Sequence, residues 1–434
     1  MLKATTFTIL FVSSLLLLAA CDKNNDSPAT TSAQIHSISP DAGKYGILDT
    51  IRGNHFGNSM NEVEVFFNNV AAPISAINDT LIVVTVPKEA GGYVSIKKNN
   101  SKITGPAFHY LYTVTVSTLA GQGFAGYRDG TASNALFNFP RGLAMDSSGN
   151  LYVADFGNNC IRKISADGNV STVAGNGIKS YRDGPAPDAE FYAVNGLAIN
   201  QDNLYIADAS RLRVLYLTNR IVNTIAGNDA NGKKDGNGIN AEFSLIYGVA
   251  ATSAGTIFVT DVNNNSIRKI IPNGTVTTFA GSESGYRDGM GSNAFFNLPG
   301  QLVYDANTKN IYLADAGNFR IRNIDPAGNV FTFAGNGNYG FKDGRFYNAE
   351  FTFPTGITVD AKSNVYVCGE ENAIRKIDSH GDVTTIAGSG IRGFKDGSGE
   401  TAMFNQPIYM TIDKTGTLYV SDQSNHSIRK IIIE

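Results

Sequence analysis

One six-residue phrase recurs along this chain and limits what it can become. VSTLAG begins at Val116, VSTVAG at Val170, VNTIAG at Val222, VTTFAG at Val276, VFTFAG at Val330 and VTTIAG at Val383, at spacings of 52 to 54 residues. An Asp-Gly pair follows each copy, at Asp129, Asp183, Asp235, Asp288, Asp343 and Asp396. Three strand-like runs come next, written GLAMD, LYVAD and CIRKI in the first repeat. A fixed period of this length marks one supersecondary unit repeated.

Each repeat reads as four short strands. Such a sheet cannot bury both faces alone, so neighbours must stack. Six units around an axis make a six-bladed β-propeller. The last repeat stops at SIRKIIIE without its own VTTIAG strand, while a spare TVSTLAG strand precedes the first. That N-terminal strand is expected to complete the last blade and remove an open edge.

The longer phrase AGYRDGTASNALFNFPRGLAMD (Ala125 to Asp146) returns as KSYRDGPAPDAEFYAVNGLAIN and SGYRDGMGSNAFFNLPGQLVYD. An element present six times is scaffold, because a catalytic site needs one asymmetric constellation. Asp caps local amides and Gly accepts a positive φ in the turn. Ala135 and Phe137, with their counterparts, are expected to plug gaps between blades. Arg162, Arg268, Arg322, Arg375 and Arg429 recur in one slot and are expected to pair with the recurring Asp residues. Two blades depart: LYIADASRLRVLYL in the second, and YVCGEENAIRK in the fifth, where Gly369 replaces Asp.

Function is expected where the repeats disagree. At the start of the innermost strands stand Arg141, Asn195, Tyr247, Gln301, Thr355 and Tyr409, with the register loose by one residue in blades four and six. This ring of arginine, amides and tyrosines is the candidate ligand-binding channel mouth, suited to a polar ligand or a partner's loop. No catalytic residue and no metal site is assigned. The propeller holds only His380 and His426, on opposite faces by strand order, so a histidine-bound zinc is not expected. No cofactor is predicted. A calcium role for the Asp-Gly loops is the minor alternative, since oxygen ligands are present there but no dense carboxylate loop is.

The span from about Thr113 to Glu434 resembles the NHL repeat family, in the variant with a Tyr-Arg-Asp-Gly loop. The matching elements are Pro140 to Asp146, Leu151 to Asp155 and Ile161 to Ile164. The resemblance implies a propeller and leaves its chemistry open. Some members are zinc lyases, some bind RNA, and gluconolactonase-like six-bladed propellers hold an axial divalent metal.

Residues 34–112 alternate in Val63, Val65 and Phe67, in Ile82, Val84 and Val86, and in Val94 and Ile96, with Gly, Pro and Asn between the runs. This is the pattern of a β-sandwich. SISPDAGKYGILDTIRGNHFG resembles the opening of IPT/TIG domains, through Ser39, Pro40, Gly43, Gly46, Thr50, Ile51, Gly53, Phe56 and Gly57. The resemblance implies an immunoglobulin-like spacer or interaction module. The fold class is therefore all-β: an immunoglobulin-like β-sandwich, then a six-bladed β-propeller over 113–434 closed by an N-terminal strand.

Residues 1–20 read as a signal segment, with Lys3 followed by FTILFVSSLLLLAA. LLAAC resembles the lipobox of bacterial lipoproteins, which implies lipidation of Cys21; an ordinary cleaved signal peptide is the alternative. Residues 21–33, beginning CDKNNDSPATTSA, read as a polar tether. Cys160 and Cys368 lie in different repeats and read as packing residues. These features point to the cell envelope, as an outer-membrane lipoprotein facing the periplasm or the surface, with membrane contact through the lipid anchor alone.

The 35 basic and 38 acidic residues leave a net charge of -3, which asks for no nucleic acid. The expected function is non-catalytic binding of a glycan, or of an envelope or extracellular protein, through the propeller face. The chain has no Trp, but its 19 Tyr and 25 Phe supply aromatic faces for a sugar. A metal-dependent lactonase or hydrolase of the gluconolactonase-like type is the alternative.

Overall fold

The structure, a computed structural model, describes residues 32–88, 90–379 and 381–434. The signal segment, Cys21, the tether as far as residue 31, and His380 lie outside the described residues. The chain divides into two compact units, the first ending at Leu111 and the second spanning Tyr112–Glu434.

The alternating runs of the first unit pair into two sheets. One orders the strands Gln34–Ser39, Leu48–Asn54, Leu81–Thr85 and Ile74–Asn78. The other orders Ala42–Gly43, Ser101–Tyr110, Gly92–Lys98, Val63–Phe67 and Val70–Ala72. Val65 pairs with Ile96 and Phe67 with Val94, while Ile51 pairs with Ile82. All six are buried. Period-two alternation sends these residues to one face and leaves polar neighbours on the other.

Among the described residues, the second unit shows six five-stranded sheets. The first runs outward from Pro140–Met145 through Leu151–Asp155, Cys160–Ile164 and Asn169–Ala174 to the two-residue strand Gly130–Thr131. The fifth strand is an addition to the four expected. It follows the Asp-Gly turn and pairs Gly130 with Val170, too short to show as an alternating run. Such repeated sheets are those of a β-propeller.

The last sheet is assembled differently. Its order is Pro407–Ile412, Leu418–Asp422, Ser427–Ile433, Val114–Ala120 and Gly397–Ser398. Val114 pairs with Ile433, Val116 with Ile431 and Thr118 with Arg429. Thr113 and Glu434 exchange backbone hydrogen bonds of 2.7 and 2.9 Å. Each innermost strand packs on the next, and Pro407–Ile412 also lies against Pro140–Met145.

The apolar layers sit between sheets. Ala186, Ala189 and Phe191 of the second repeat pack on Ala154, Ile161 and Ala174 of the first. Ala135 and Phe137 pack on Ala120 and Ile428, where the last sheet meets the first. Cys160 and Cys368 are free and buried.

Candidate functional site

The repeated polar residues form six clamps. Arg162, Arg213, Arg268, Arg322, Arg375 and Arg429 are all fully buried. Each guanidinium reaches the Asp of its Asp-Gly turn at 2.5–2.8 Å. In five sheets it also reaches a fully buried Asp at 2.6–3.1 Å: Asp155, Asp208, Asp261, Asp315 and Asp422. The guanidinium centre lies 4.9–5.2 Å from the ring of the Ala-x-Phe phenylalanine. A buried charge with two counter-ions and an aromatic face ties the turn to the sheet.

The buried carboxylates also accept from the backbone, Asp155 from Asn138 N at 2.8 Å and Asp422 from Asn405 N at 2.7 Å. Burial nevertheless pushes Asp155, Asp208 and Asp422 up to about 6, against the lowering effect of those bonds and of the arginines.

Two clamp members escaped the sequence reading. Arg213 fills the second repeat's slot although the Ile-Arg-Lys run is missing there. In the fifth repeat the task of the absent Asp passes to Glu371, whose Oε2 accepts from Thr352 Oγ1 at 2.7 Å. A search for an acid within a few residues of Gly369 would have found it.

The six axial candidates come together, but not as an open mouth. Arg141 Nη1 donates to Asn195 Oδ1 at 2.5 Å, and Asn195 Nδ2 donates to the Ile246 carbonyl at 3.1 Å. The Tyr409 hydroxyl donates to the Tyr247 carbonyl, and the two rings lie 5.0 Å apart. Gln301 Nε2 donates to the Met410 carbonyl at 2.9 Å, while its Oε1 accepts from Ile357 N at 3.0 Å and Met410 N at 3.2 Å. Thr355 joins none of these bonds, and its Oγ1 is buried without a partner.

The loose register in two repeats has a physical cause. Pro140, Pro299 and Pro407 hold equivalent positions, each opposite the buried Asp of the next strand. Gln301 and Tyr409 are therefore equivalent to Gly142, not to Arg141. A side chain on Gly142 would overlap the Asn195 carbonyl, and one on Gly248 would come within 2.9 Å of the Gly300 carbonyl. Four repeats carry Gly there, and the other two supply the Gln and Tyr that fill the axis.

The electrostatics of this cluster are lopsided. Arg141 is mostly buried, with its guanidinium 3.4 Å over the Phe156 ring, and its Nε has no partner. Burial lowers its pKa, opposed only by Tyr247 and Tyr409. Burial pushes Tyr247 up to about 12 and Tyr409 well above the phenol range, so both hydroxyls stay protonated near neutral pH. Among the described residues, no group of three His, Cys, Asp or Glu is placed to hold a metal ion. Phe156 was not singled out from sequence, although it directly follows LYVAD.

At the other end of the second repeat's inner strand, a groove of about 450 Å³ is lined by Asn200, Gln201, Asn203, Tyr205, Tyr216 and Ser253, among others. Asn200 stands where Asp146, Asp360 and Asp413 accept from the hydroxyls of Tyr152, Tyr366 and Tyr419. Tyr205 instead meets Asn203 Nδ2 at 3.5 Å.

Residues 33–116 match the IPT/TIG domain and residues 137–164 match the NHL repeat. Protein SUPPRESSOR OF QUENCHING 1, chloroplastic, of Arabidopsis thaliana is 30% identical over 291 residues, covering 60% of this chain. The chain spans only 27% of that relative's length. Among solved structures, a protein of unknown function from Bacteroides thetaiotaomicron superposes with a TM-score of 0.61 at 21% identity, covering 94% of this chain and 99% of that one. An auxiliary nutrient binding protein from the same species gives 0.59 at 16% identity, covering 93% and 98%. The chain thus carries an IPT/TIG domain and an NHL repeat, in a fold shared with Bacteroides propeller proteins.

Proposed function

We propose that this chain is a non-catalytic envelope lipoprotein that binds a glycan or protein ligand through the axial face of a six-bladed propeller. The observation that carries the reading is the axial cluster: one arginine, amides and tyrosines, with no carboxylate at the ring positions. Directional donors and acceptors around apolar rings suit recognition of a polar ligand. A divalent cation, as a lactonase of the gluconolactonase-like type would require, meets a guanidinium there and finds no charge to neutralise its own. The nutrient-binding neighbour agrees with the reading through fold alone.

The strand Val114–Ala120 closes the sixth blade by pairing with Ser427–Ile433, and the IPT/TIG domain serves as spacer. Cys21 carries the lipid, residues 21–33 form the tether, and the protein resides on the outer membrane without cofactor or nucleic-acid partner. Metabolic labelling with a fatty-acid analogue, comparing the full chain with Cys21→Ala, tests the anchor. A glycan array probed with the full chain and with Arg141→Ala/Tyr247→Ala tests the axial site. Ligands retained equally by both proteins would remove the axis from the site.

A further inference from the structure

The six fully buried arginines of the second unit follow a rule that the half-buried Arg141 does not share. Each of the six clamp arginines has an Asp of its turn at 2.5–2.8 Å. Arg141, on the innermost strand, has the neutral Asn195 Oδ1 and the Phe156 ring. No carboxylate of the described residues stands within ion-pair distance of it. A guanidinium largely withdrawn from water without a counter-ion is left under-compensated. An amide oxygen returns one hydrogen bond of the five the group can make.

We propose that Arg141 is the receptor for a ligand carboxylate, and that the ligand is an acidic sugar of the uronate class. This rests on the binding function proposed above and specifies it. A guanidinium N–H meets a carboxylate in a charge-assisted hydrogen bond, about twice as strong as a neutral one. Its Nη1 is already committed to Asn195 and its Nε is enclosed by protein, which leaves Nη2 as the donor that can meet a carboxylate. Phe156 holds the guanidinium flat from one side. Asn195 is in turn fixed by the Ile246 carbonyl, so the arginine is oriented before the ligand arrives. Tyr247 and Tyr409, both protonated near neutral pH, add no charge that would repel an anion. The half-buried Tyr247 offers a pyranose an apolar face and a neutral hydroxyl, while the buried Tyr409 and Asn195 hold the cluster in place.

The test is calorimetric titration of the full chain at low ionic strength with D-glucuronate, D-glucose, sodium acetate and sodium sulfate. Saturable glucuronate binding is expected, at least tenfold tighter than glucose or acetate. In Arg141→Gln, glucuronate affinity should fall at least tenfold with no fall in melting temperature; Arg141→Lys should recover part of it. Unchanged glucuronate binding by Arg141→Gln would overturn the proposal. Glucose bound as tightly as glucuronate would overturn the carboxylate while leaving an axial ligand site standing. Acetate or sulfate bound as tightly would reduce the site to an adventitious ion only. No binding of any probe would overturn the acidic sugar, and the glycan array then judges the axial site separately.

Discussion

The Glu371 carboxylate lies 3.9 Å from the Arg375 guanidinium, four residues along the chain, with both side chains fully buried. It replaces an acid that every other repeat places seven or five residues before its arginine, as in Asp155 with Arg162 or Asp208 with Arg213. The replacement is looser. Asp155 touches its arginine at 2.8 Å, whereas Glu371 Oε1 has no hydrogen-bond partner.

Asp155→Ala should therefore cost more than Glu371→Ala. Removing Asp155 strips a close counter-ion from a buried arginine, a loss of about 3–5 kcal/mol. Removing Glu371 mainly unpairs Thr352, a loss of about 1–3 kcal/mol. Denaturant unfolding of the two variants checks this, and equal losses would contradict it.

His426 should make the junction of the last and first sheets acid-sensitive. Its Nδ1 accepts from Phe139 N at 3.1 Å, and burial lowers its pKa below the usual histidine value of 6.5. The native state then binds fewer protons than the unfolded chain, so this contribution is present above pH 6.5 and is lost as the pH falls through the lowered value. Asn265 and Asn372 cap Leu298 N and Gln406 N in the same way. Thermal unfolding from pH 5 to 7.5 should show a shallower acid loss in His426→Asn than in the parent. Asp155, Asp208 and Asp422, raised to about 6, act in the opposite direction in both proteins and cancel in the comparison.

Gln301→Leu should cost about 1–3 kcal/mol, because it leaves Ile357 N, Met410 N and the Met410 carbonyl unpaired inside the axis. Arg141→Ala is the control. It removes a charge that has no acidic partner and unpairs one buried group, Asn195 Oδ1, against three for Gln301→Leu, so its melting temperature should fall less. A larger loss for Arg141→Ala than for Gln301→Leu would count against this account of the axis.

Gly142→Ala should destabilise by about 1–3 kcal/mol, since the added methyl overlaps the Asn195 carbonyl and the strand must shift. The same shift would displace Asn195, which holds Arg141. Any ligand affinity carried by the axis should fall with the melting temperature in this variant.

The repeat was legible because its cues are local. The Ala-x-Phe plug, the Asp-Gly turn and the strand runs each lie within a few residues and recur at a fixed period. Arg213 was not legible, because its buried Asp precedes it by five residues instead of seven and breaks the template. The arrangement of the axis was not legible either. Gln301 bonds a residue 109 positions away and Tyr409 one 162 positions away. Contacts across a ring leave no mark in local spacing. The sequence identified which residues differ between repeats, and the structure shows that most of those differences are used on one another.

The pairing of Val114–Ala120 with Ser427–Ile433 has a consequence for biogenesis. The strand of this unit made first at the ribosome finds its sheet partners only in two strands of the last repeat, Gly397–Ser398 and Ser427–Ile433. Until Ser427–Ile433 is made, that strand lacks its main hydrogen-bonded partner and the last sheet cannot be completed. Stacking can start between early repeats, but Ser427–Ile433 sets the final lock, so its loss would expose an edge on Val114–Ala120 at the opposite end of the same unit.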